Sequence, residues 1–285
     1  MIFASFLNFF YFIFLILASK YPTKLKKKDL FLTYLKIRLK YLFFVLVLRQ
    51  DLQKENFFNY KINFFNYSTF VFLFEEIFIC QVYNFAIKKK KPLIFDCGAN
   101  IGVSTIYFKM INPNSRILAF EPDFQAYLKL KENVKKNSFK NIKILNEAVS
   151  DRFGYAEFYG DSKSLNNSLE SKRAGDINKR KVKISFLSSY VNSIVDFIKM
   201  DIEGAEQSVF EELKKRGKLA LVSSGVVEYH HHIEKGNDNL GSFLSIFEKA
   251  GFGYQIKSDV KSLFNRGQYQ DILVFFYQKK LLLTN

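Results

Sequence analysis

Tryptophan is absent from the 285 residues, and the chain has only two cysteines, three histidines and four prolines. Cys80 and Cys97 cannot build a disulfide framework, and neither belongs to a CxxC metal motif. We expect two reduced, buried thiols of the kind found in a cytosolic domain. The sequence also lacks a zinc finger, an RNA-recognition signature and a basic groove interleaved with aromatic residues. We therefore expect no nucleic-acid partner.

Acidic residues are scarce in one stretch of the chain. The net charge is +16, and residues 20–50 contain nine lysines and arginines against one acid, Asp29. That stretch carries +8, which is half of the surplus. A basic stretch beside an apolar one is typical of a segment that meets an anionic membrane surface.

The apolar stretch is residues 2–18, which contain no charged side chain. As a helix it would rise about 26 Å, slightly less than the ~30 Å of a bilayer core. Basic residues follow this run, so a cleaved signal peptide is not expected, and the positive-inside rule would keep the rest cytoplasmic. We interpret residues 1–19 as a possible membrane anchor and 20–55 as a basic amphipathic segment whose charges face head groups. Packing on the protein itself or on a partner is the alternative.

The remaining sequence divides at "KKKKP". Residues 56–92 are rich in aromatics and predict a helical layer that precedes the main domain. From 93 to 285, short apolar runs alternate with amphipathic segments, which predicts an α/β domain with a mainly parallel sheet and helices on both faces. Ligands of such sheets bind at the carboxyl ends of the strands.

The first predicted strand leads into "DCGANIG", whose glycines Gly98 and Gly102 match neither G-x-G-x-x-G nor a phosphate loop that ends in GK[ST]. An adenosyl ligand without phosphates needs a close backbone approach, together with acceptors for an ammonium group and ribose hydroxyls. Asp96 ends the first strand and Glu121 ends the second, 19 residues after Gly102. Two strand-end acids around a glycine loop predict a pocket for S-adenosylmethionine.

Five motifs in order strengthen this hypothesis: "DCGANIGVSTIYF", "AFEPD", "NEAVSD", "FIKMDIEGAE" and "VEYHH". Their order and spacing resemble the FkbM family of S-adenosylmethionine-dependent methyltransferases over roughly residues 70–278. The first 55 or so residues lie outside the resemblance. The family implies a Rossmann-like class I methyltransferase fold, a seven-stranded sheet whose last strand is reversed.

The resemblance also implies roles for individual positions. Glu121 would bind the ribose, with Asp123 nearby, and Asp201 would lie beside the methyl group. The loop residues Asp96, Gly98, Asn100 and Gly102 would lie against the methionine and ribose portions of the cofactor. The remaining positions follow the third strand, where such folds hold adenine: Glu147, Ala148 and Val149.

The chemistry is expected at the ends of the fourth and fifth strands. Asp201 and Glu203 are two residues apart, as are Glu228, His230 and His232, so each set shares one side of an extended chain. We predict Asp201, Glu228 and His230 as the catalytic residues, with His230 as a general base. A divalent metal held by the same three residues is possible but not favoured. Ordinary hydrogen bonding for the histidines, and favourable helix-start charges for Glu203 and Glu206, are the alternatives.

The sequence thus predicts an O-methyltransferase that acts on a hydroxyl, most suitably on a sugar of a glycan, glycolipid or polysaccharide. Its partners would be that acceptor and a membrane surface met by residues 1–50. A catalytically silent binding or scaffold protein at the membrane is the alternative function. Nothing in the sequence predicts an oligomeric state.

Overall fold

The computed structural model describes residues 2–22, 24–85, 87–160, 179–231, 239–258 and 270–282. The chain forms two compact units. One contains residues 1–84, 101–114 and 128–140, and the other contains residues 85–100, 115–127 and 141–285.

The first unit opens with two contacting helices, α1 (Ile2–Ala18) and α2 (Lys27–Lys40), and α2 continues as a π-helical turn, Tyr41–Val47. Tyr34 on the buried side of α2 stacks on Phe74, with ring centroids 6.5 Å apart. In the part of the chain that the structure describes, no helix combines the length and the apolar character needed to cross a bilayer.

The prediction of a helical layer over residues 56–92 is wrong at its start. The elements there are β1 (Lys54–Phe57), β2 (Tyr60–Asn63), and α3 (Tyr67–Phe74) with its π-helical extension Glu75–Ile79. β1 and β2 pair as an antiparallel hairpin. Glu55 and Phe57 are buried while their neighbours are exposed, and this period of two fits a strand. Phe58 takes a positive φ of 49° in the two-residue turn.

The expectation that the basic side of residues 20–55 faces lipid head groups needs correction for three of its cations, because these point to buried acids. The ammonium nitrogens of Lys36 and Lys40 lie 3.1 and 2.9 Å from carboxylate oxygens of Glu55. Arg38 pairs with Glu75 at 3.3 Å. Buried carboxylates need such partners, so these cations stabilise the first unit.

Strands and helices alternate along the rest of the chain: β3 (Leu93–Cys97), α4 (Val103–Ile111), β4 (Arg116–Phe120), α5 (Phe124–Lys136), β5 (Ile142–Leu145), β6 (Ala148–Ser150), β7 (Gly154–Tyr159), β8 (Lys179–Phe186), β9 (Phe197–Met200), α6 (Glu206–Lys215), β10 (Ser224–His231), α7 (Leu240–Lys249), β11 (Phe252–Ser258) and β12 (Gln270–Gln278). Short 3-10 turns occupy Leu187–Tyr190, Leu219–Leu221 and Lys279–Leu282.

Seven of these strands form the main sheet of the second unit, in the order β11-β12-β10-β9-β3-β4-β5. The pairs from β5 to β10 are parallel, and β12 runs antiparallel to both of its neighbours. The predicted α/β, Rossmann-like class I methyltransferase sheet with a reversed last strand is therefore confirmed. β6, β8 and β7 form a separate three-stranded sheet.

The core of the second unit joins the main sheet to apolar residues of α6 and α7, such as Phe210 and Phe247. Cys97 lies in this core, and burial raises the pKa of its thiol. Cys80, in the first unit, is half-buried. Because the central strands β3 and β9 are parallel neighbours, their carboxyl ends lie side by side.

Candidate active site

The glycine loop follows β3 and is fastened to the end of β4. The N–H groups of Gly98 and Ala99 both donate to the carbonyl of Phe120, at 3.0 and 2.9 Å. Gly98 has a φ of 75°, and a Cβ there would overlap the backbone carbonyl oxygen of Asp201. Asn100 is also left-handed, with a φ of 48°. Position 98 therefore requires glycine both for its conformation and for its space.

Gly102, in the first unit, lies where the loop becomes α4. Its φ is 92°, and an added Cβ would lie 2.5 Å from Cδ1 of Leu130 on α5. Asn133, one turn further along α5, donates from Nδ2 to the carbonyl of Ile101 at 2.8 Å. Gly102 thus allows close packing of α4 against α5, and its predicted role toward a cofactor stays a prediction.

Glu121 follows β4, and its carboxylate bonds to the backbone of the glycine loop. The N–H of Asn100 donates to Oε2 at 2.7 Å, and the N–H of Asp123 donates to Oε1 at 2.8 Å. Burial raises the pKa of Glu121 to about 8, and those N–H groups oppose the rise. Each carboxylate oxygen can accept a second hydrogen bond, so the group can still take the two hydroxyls of a ribose.

Asp123 has a structural role at this point. Its Oδ1 accepts the N–H of Ala126 at 2.8 Å, which caps the start of α5. Its Oδ2 pairs with Nη1 of Arg180, and Nη2 of Arg180 donates to the carbonyl of Gly160 at 2.9 Å. Arg180 thus links β8 to the segment that follows Glu121.

Asn146 holds the end of β5 beside that of β4. Its Nδ2 donates to the carbonyls of Glu121 and Pro122, at 2.8 and 2.9 Å. The sequence did not single out this residue, although "ILNEAVSD" places an amide where the strand ends. These bonds fix the backbone that carries Glu121.

The predicted adenine-pocket residues Glu147, Ala148 and Val149 are all buried. The carboxylate of Glu147 accepts hydrogen bonds from Lys183 at 2.6 Å, Tyr190 at 2.7 Å, and Ser185. Burial raises the pKa of Glu147, but these partners outweigh it and hold the pKa below its usual value. Val149 belongs to the apolar core. Glu147 is thus held by hydrogen bonds and Val149 by apolar packing, and the contact of all three residues with adenine stays a prediction.

Lys199 is a functional candidate that the sequence reading missed. It is 2% exposed, and its Nζ donates to the carbonyl of Gly98 at 2.7 Å and lies 3.3 Å from Oδ2 of Asp201. Burial lowers its pKa, but Asp201, Asp96 and Glu228 outweigh this and raise it. The sequence did contain a signal that could have identified it, namely a lysine inside the otherwise apolar strand "FIKM". Its ammonium holds the loop and Asp201 together while it compensates the fully buried Asp96.

His230, at the end of β10, lies among carboxylates as predicted. Its Nε2 is 3.2 Å from Oε2 of Glu203, 3.8 Å from Oδ1 of Asp201 and 3.9 Å from Oδ1 of Asp271. Asp271 was not predicted, and it faces His230 from the antiparallel strand β12. We call this set the His230 cluster: Asp201, Glu203, Glu206, His230 and Asp271.

Glu206 contacts Nδ1, the other ring nitrogen of His230. The sequence had suggested for it only a favourable charge at the start of a helix. Oε1 of Glu206 lies 2.8 Å from Nδ1 of His230 and accepts the N–H groups of Gly204 and Ile202, at 3.0 and 3.3 Å. Burial lowers the pKa of His230, but Glu206, Glu203 and Asp201 outweigh it and raise the pKa to about 10. The cluster therefore strongly stabilises a proton on this imidazole.

Two groups of potential metal ligands occur among the described residues. Asp201, Glu203 and His230 form one, and Glu228, His230 and Asp271 form the other, with ligand atoms within 4.8 Å of one another. The predicted catalytic residues Asp201, Glu228 and His230 are thus brought to one place. In both groups a metal ion would bind Nε2 of His230, because Nδ1 faces Glu206. His232, grouped with them by spacing, lies outside the described residues.

A family model for the methyltransferase FkbM domain matches residues 96–254, more than half of the chain. The chain belongs to the FkbM family of S-adenosylmethionine-dependent methyltransferases. The matched segment runs from the buried carboxylate Asp96 to Tyr254 and includes the glycine loop, Glu121 and most of the His230 cluster.

Two proteins with similar sequences are themselves named methyltransferases. Methyltransferase sdnD of Sordaria araneosa is 27% identical over 191 residues, which are 55% of this chain and 73% of that protein. The 2-O-methyltransferase NoeI of Sinorhizobium fredii is 27% identical over 142 residues, 43% of this chain and 58% of that protein. A solved FkbM methyltransferase from Methylobacillus flagellatus aligns with a TM-score of 0.45 at 18% identity. The alignment covers 67% of this chain and 45% of that one.

Proposed function

We propose that this FkbM methyltransferase methylates a hydroxyl group, and that the acceptor is a saccharide. The observation that carries the proposal is the His230 cluster, in which the buried imidazole at the end of β10 meets four carboxylates: two that follow β9, one at the start of α6 and one on β12. Transfer to a hydroxyl releases a proton, and this cluster can receive one. The relative NoeI carries the name 2-O-methyltransferase, which supports the same reaction here.

The residues around the glycine loop fit an adenosyl cofactor. Gly98 allows the loop to lie directly against the backbone of Asp201, and the carboxylate of Glu121 retains acceptor capacity for a ribose. Asp201, a quarter exposed and adjacent to Lys199, would face the methionine end. When bound, S-adenosylmethionine supplies a methyl group that its sulfonium already activates.

His230 is proposed to accept the hydroxyl proton at Nε2. Glu206 fixes the ring through Nδ1, so Nε2 points to Asp201 and Glu203, whose charges stabilise the imidazolium that forms. A base with a pKa near 10 is protonated in most molecules at neutral pH. The rate of methyl transfer should therefore rise with pH up to that value.

Proton transfer to His230 and activation by a metal predict different responses to chelation. If His230 alone receives the proton, EDTA leaves the rate unchanged and added Mg²⁺ does not raise it. If the carboxylates hold a cation instead, chelation abolishes transfer and the divalent ion restores it. That result would replace the base with the metal in the proposal.

The proposed setting is the cytoplasmic face of a membrane, reached through residues 1–50. The exposed lysines that follow α1 support this setting, because the anionic lipids of the cytoplasmic leaflet attract basic residues. An acceptor that is a glycolipid or a lipid-linked saccharide suits such a location.

The experiment is transfer of radiolabelled methyl groups from S-adenosylmethionine to a panel of saccharides, with wild-type protein and His230→Gln. We expect an alkali-stable methyl ether on a sugar hydroxyl, and at least a hundredfold slower transfer in the variant at unchanged cofactor affinity. Transfer to an amine or a carboxylate, but to no hydroxyl, would contradict the proposal.

A further inference from the structure

The N-terminal helices expose an unusual amount of apolar surface. In the described part of the chain, eleven of the eighteen exposed large hydrophobic side chains lie between Leu7 and Leu48. Isolated exposed hydrophobics are normal on a protein, but a contiguous patch marks an interaction surface.

Helix α1 presents these side chains as one stripe. Five residues span an arc of roughly 120° on the helix and are each more than half exposed: Leu7, Phe10, Tyr11, Phe14 and Leu17. The opposite side is covered within the first unit, since Ile16 is fully buried and the rings of Phe9 and Phe12 lie 6.0 Å from that of Tyr34. We call the exposed residues the α1 stripe.

Exposed apolar residues continue at the end of α2 and through its π-helical turn. They are Leu39, Leu42, Phe43, Val47 and Leu48. This segment therefore has two exposed apolar surfaces on helices whose other sides already pack against the first unit.

The charges beside the α1 stripe indicate what covers it. Lys20, Lys24, Lys26 and Lys28 are exposed immediately after α1, whereas Lys36, Arg38 and Lys40 are paired with buried acids. Lys27 donates to the carbonyl of Leu17 at 2.7 Å and so caps the end of α1. An apolar helix face flanked by exposed lysines is complementary to an anionic lipid surface.

We propose that the α1 stripe lies in the plane of an anionic bilayer surface, with its aromatic rings among the acyl chains and Lys20–Lys28 at the phosphates. This attachment is interfacial, and the helix does not cross the bilayer. The inference rests on the membrane location proposed above and names the residues that produce it.

The absence of tryptophan allows a direct test with single-tryptophan variants of the full chain. Phe14→Trp, in the stripe, is compared with Phe153→Trp, which replaces a 71% exposed ring before β7. Vesicles of phosphatidylcholine with phosphatidylglycerol should shift the emission of Phe14→Trp to the blue, and lipids brominated on the acyl chains should quench it. Phe153→Trp should show neither effect.

Binding strength provides the second readout. Replacing Phe14 and Leu17 by Asn should weaken vesicle binding at least tenfold, whereas Phe153→Asn should leave it unchanged. Each Lys→Gln change at Lys24, Lys26 or Lys28 should weaken binding to the anionic vesicles roughly fivefold. Added salt should also weaken this binding, because it screens the attraction between the lysines and the lipids.

Two results would overturn the inference: no vesicle binding by the wild-type protein, or a blue shift of Phe14→Trp that needs no lipid and grows with protein concentration. The second result would assign the stripe to a second copy of the chain. Calorimetric binding of S-adenosylmethionine to the same variants separates these failures from failure of the proposed reaction, because the stripe variants should bind the cofactor normally.

Discussion

At the scale of single residues, Gly98 shows most clearly how backbone geometry constrains the site. Gly98→Ala would put a methyl group into the carbonyl of Asp201 at a φ of 75°. We expect a loss of about 2–4 kcal/mol in the free energy of unfolding, together with the loss of cofactor binding, because the loop must move.

Gly217 provides the matched control for this substitution. It has a similar φ of 68°, but an added Cβ would meet no atom within 4 Å. Gly217→Ala should cost only about 1 kcal/mol in urea unfolding and leave calorimetric binding intact. Equal effects of the two substitutions would show that conformation alone, and not contact with Asp201, determines position 98.

Because the pKa of Glu121 is raised, we expect the affinity for the cofactor to depend on pH. Ribose hydroxyls donate to an ionised carboxylate, and the pKa of Glu121 is raised to about 8. Affinity should therefore increase by about tenfold between pH 7 and pH 9, as the group loses its proton, and then level off. Calorimetry with methylthioadenosine, which has the ribose but no amino acid, isolates this effect. Glu121→Gln should bind weakly with no such slope, and an unchanged slope in that variant would refute the assignment.

Because the pKa of His230 is raised on folding, we expect the free energy of unfolding to depend on pH. Its pKa rises from 6.5 to about 10 in the folded protein, so it contributes stability that is fully present below pH 6.5 and is lost as pH rises through about 10. The contribution is on the order of a few kcal/mol. The difference in urea-unfolding free energy between wild type and His230→Gln should shrink across this window. A difference that stays constant with pH would mean that the imidazole is neutral in the cluster.

At the scale of elements, the attachment of α2 depends on a buried ion pair. The substitution Arg38→Leu removes the cation that pairs with the carboxylate of Glu75. Glu75 then keeps the hydrogen bond that the hydroxyl of Tyr34 donates to its Oε1 at 2.7 Å. We expect a loss of about 3 kcal/mol in the free energy of unfolding. Glu75→Gln in the same chain should recover most of it, and failure to do so would indicate that packing of the arginine stem dominates.

The elements also show what the sequence could and could not predict. The strands that position Asp96, Glu121 and Asp201 follow from short apolar runs, and their parallel order follows from the alternation with helices. The β1–β2 hairpin was missed because its dense aromatics hide the period of two. Lys36, Arg38 and Lys40 were misplaced because a sequence does not show which acid a cation faces.

At the scale of the whole molecule, long-range contacts account for the functional residues that were missed. Asp271 meets His230 only because β12 returns antiparallel to β10, and Glu206 meets it only because Glu203 and Gly204 turn with positive φ. Lys199 and Asn146 act through backbone carbonyls of residues that directly follow other strands. Motif spacing predicted where the site lies, whereas its internal bonding required the fold.

Cofactor binding at the loop between β3 and α4 is tested most directly by calorimetric titration of the full chain with S-adenosylmethionine, for the wild type and for Glu121→Ala. We expect saturable one-site binding by the wild type and its loss in the variant, with both proteins shown to be folded by circular dichroism. No binding by the folded wild type, or equal binding by both proteins, would contradict the assignment of the cofactor to the loop between β3 and α4.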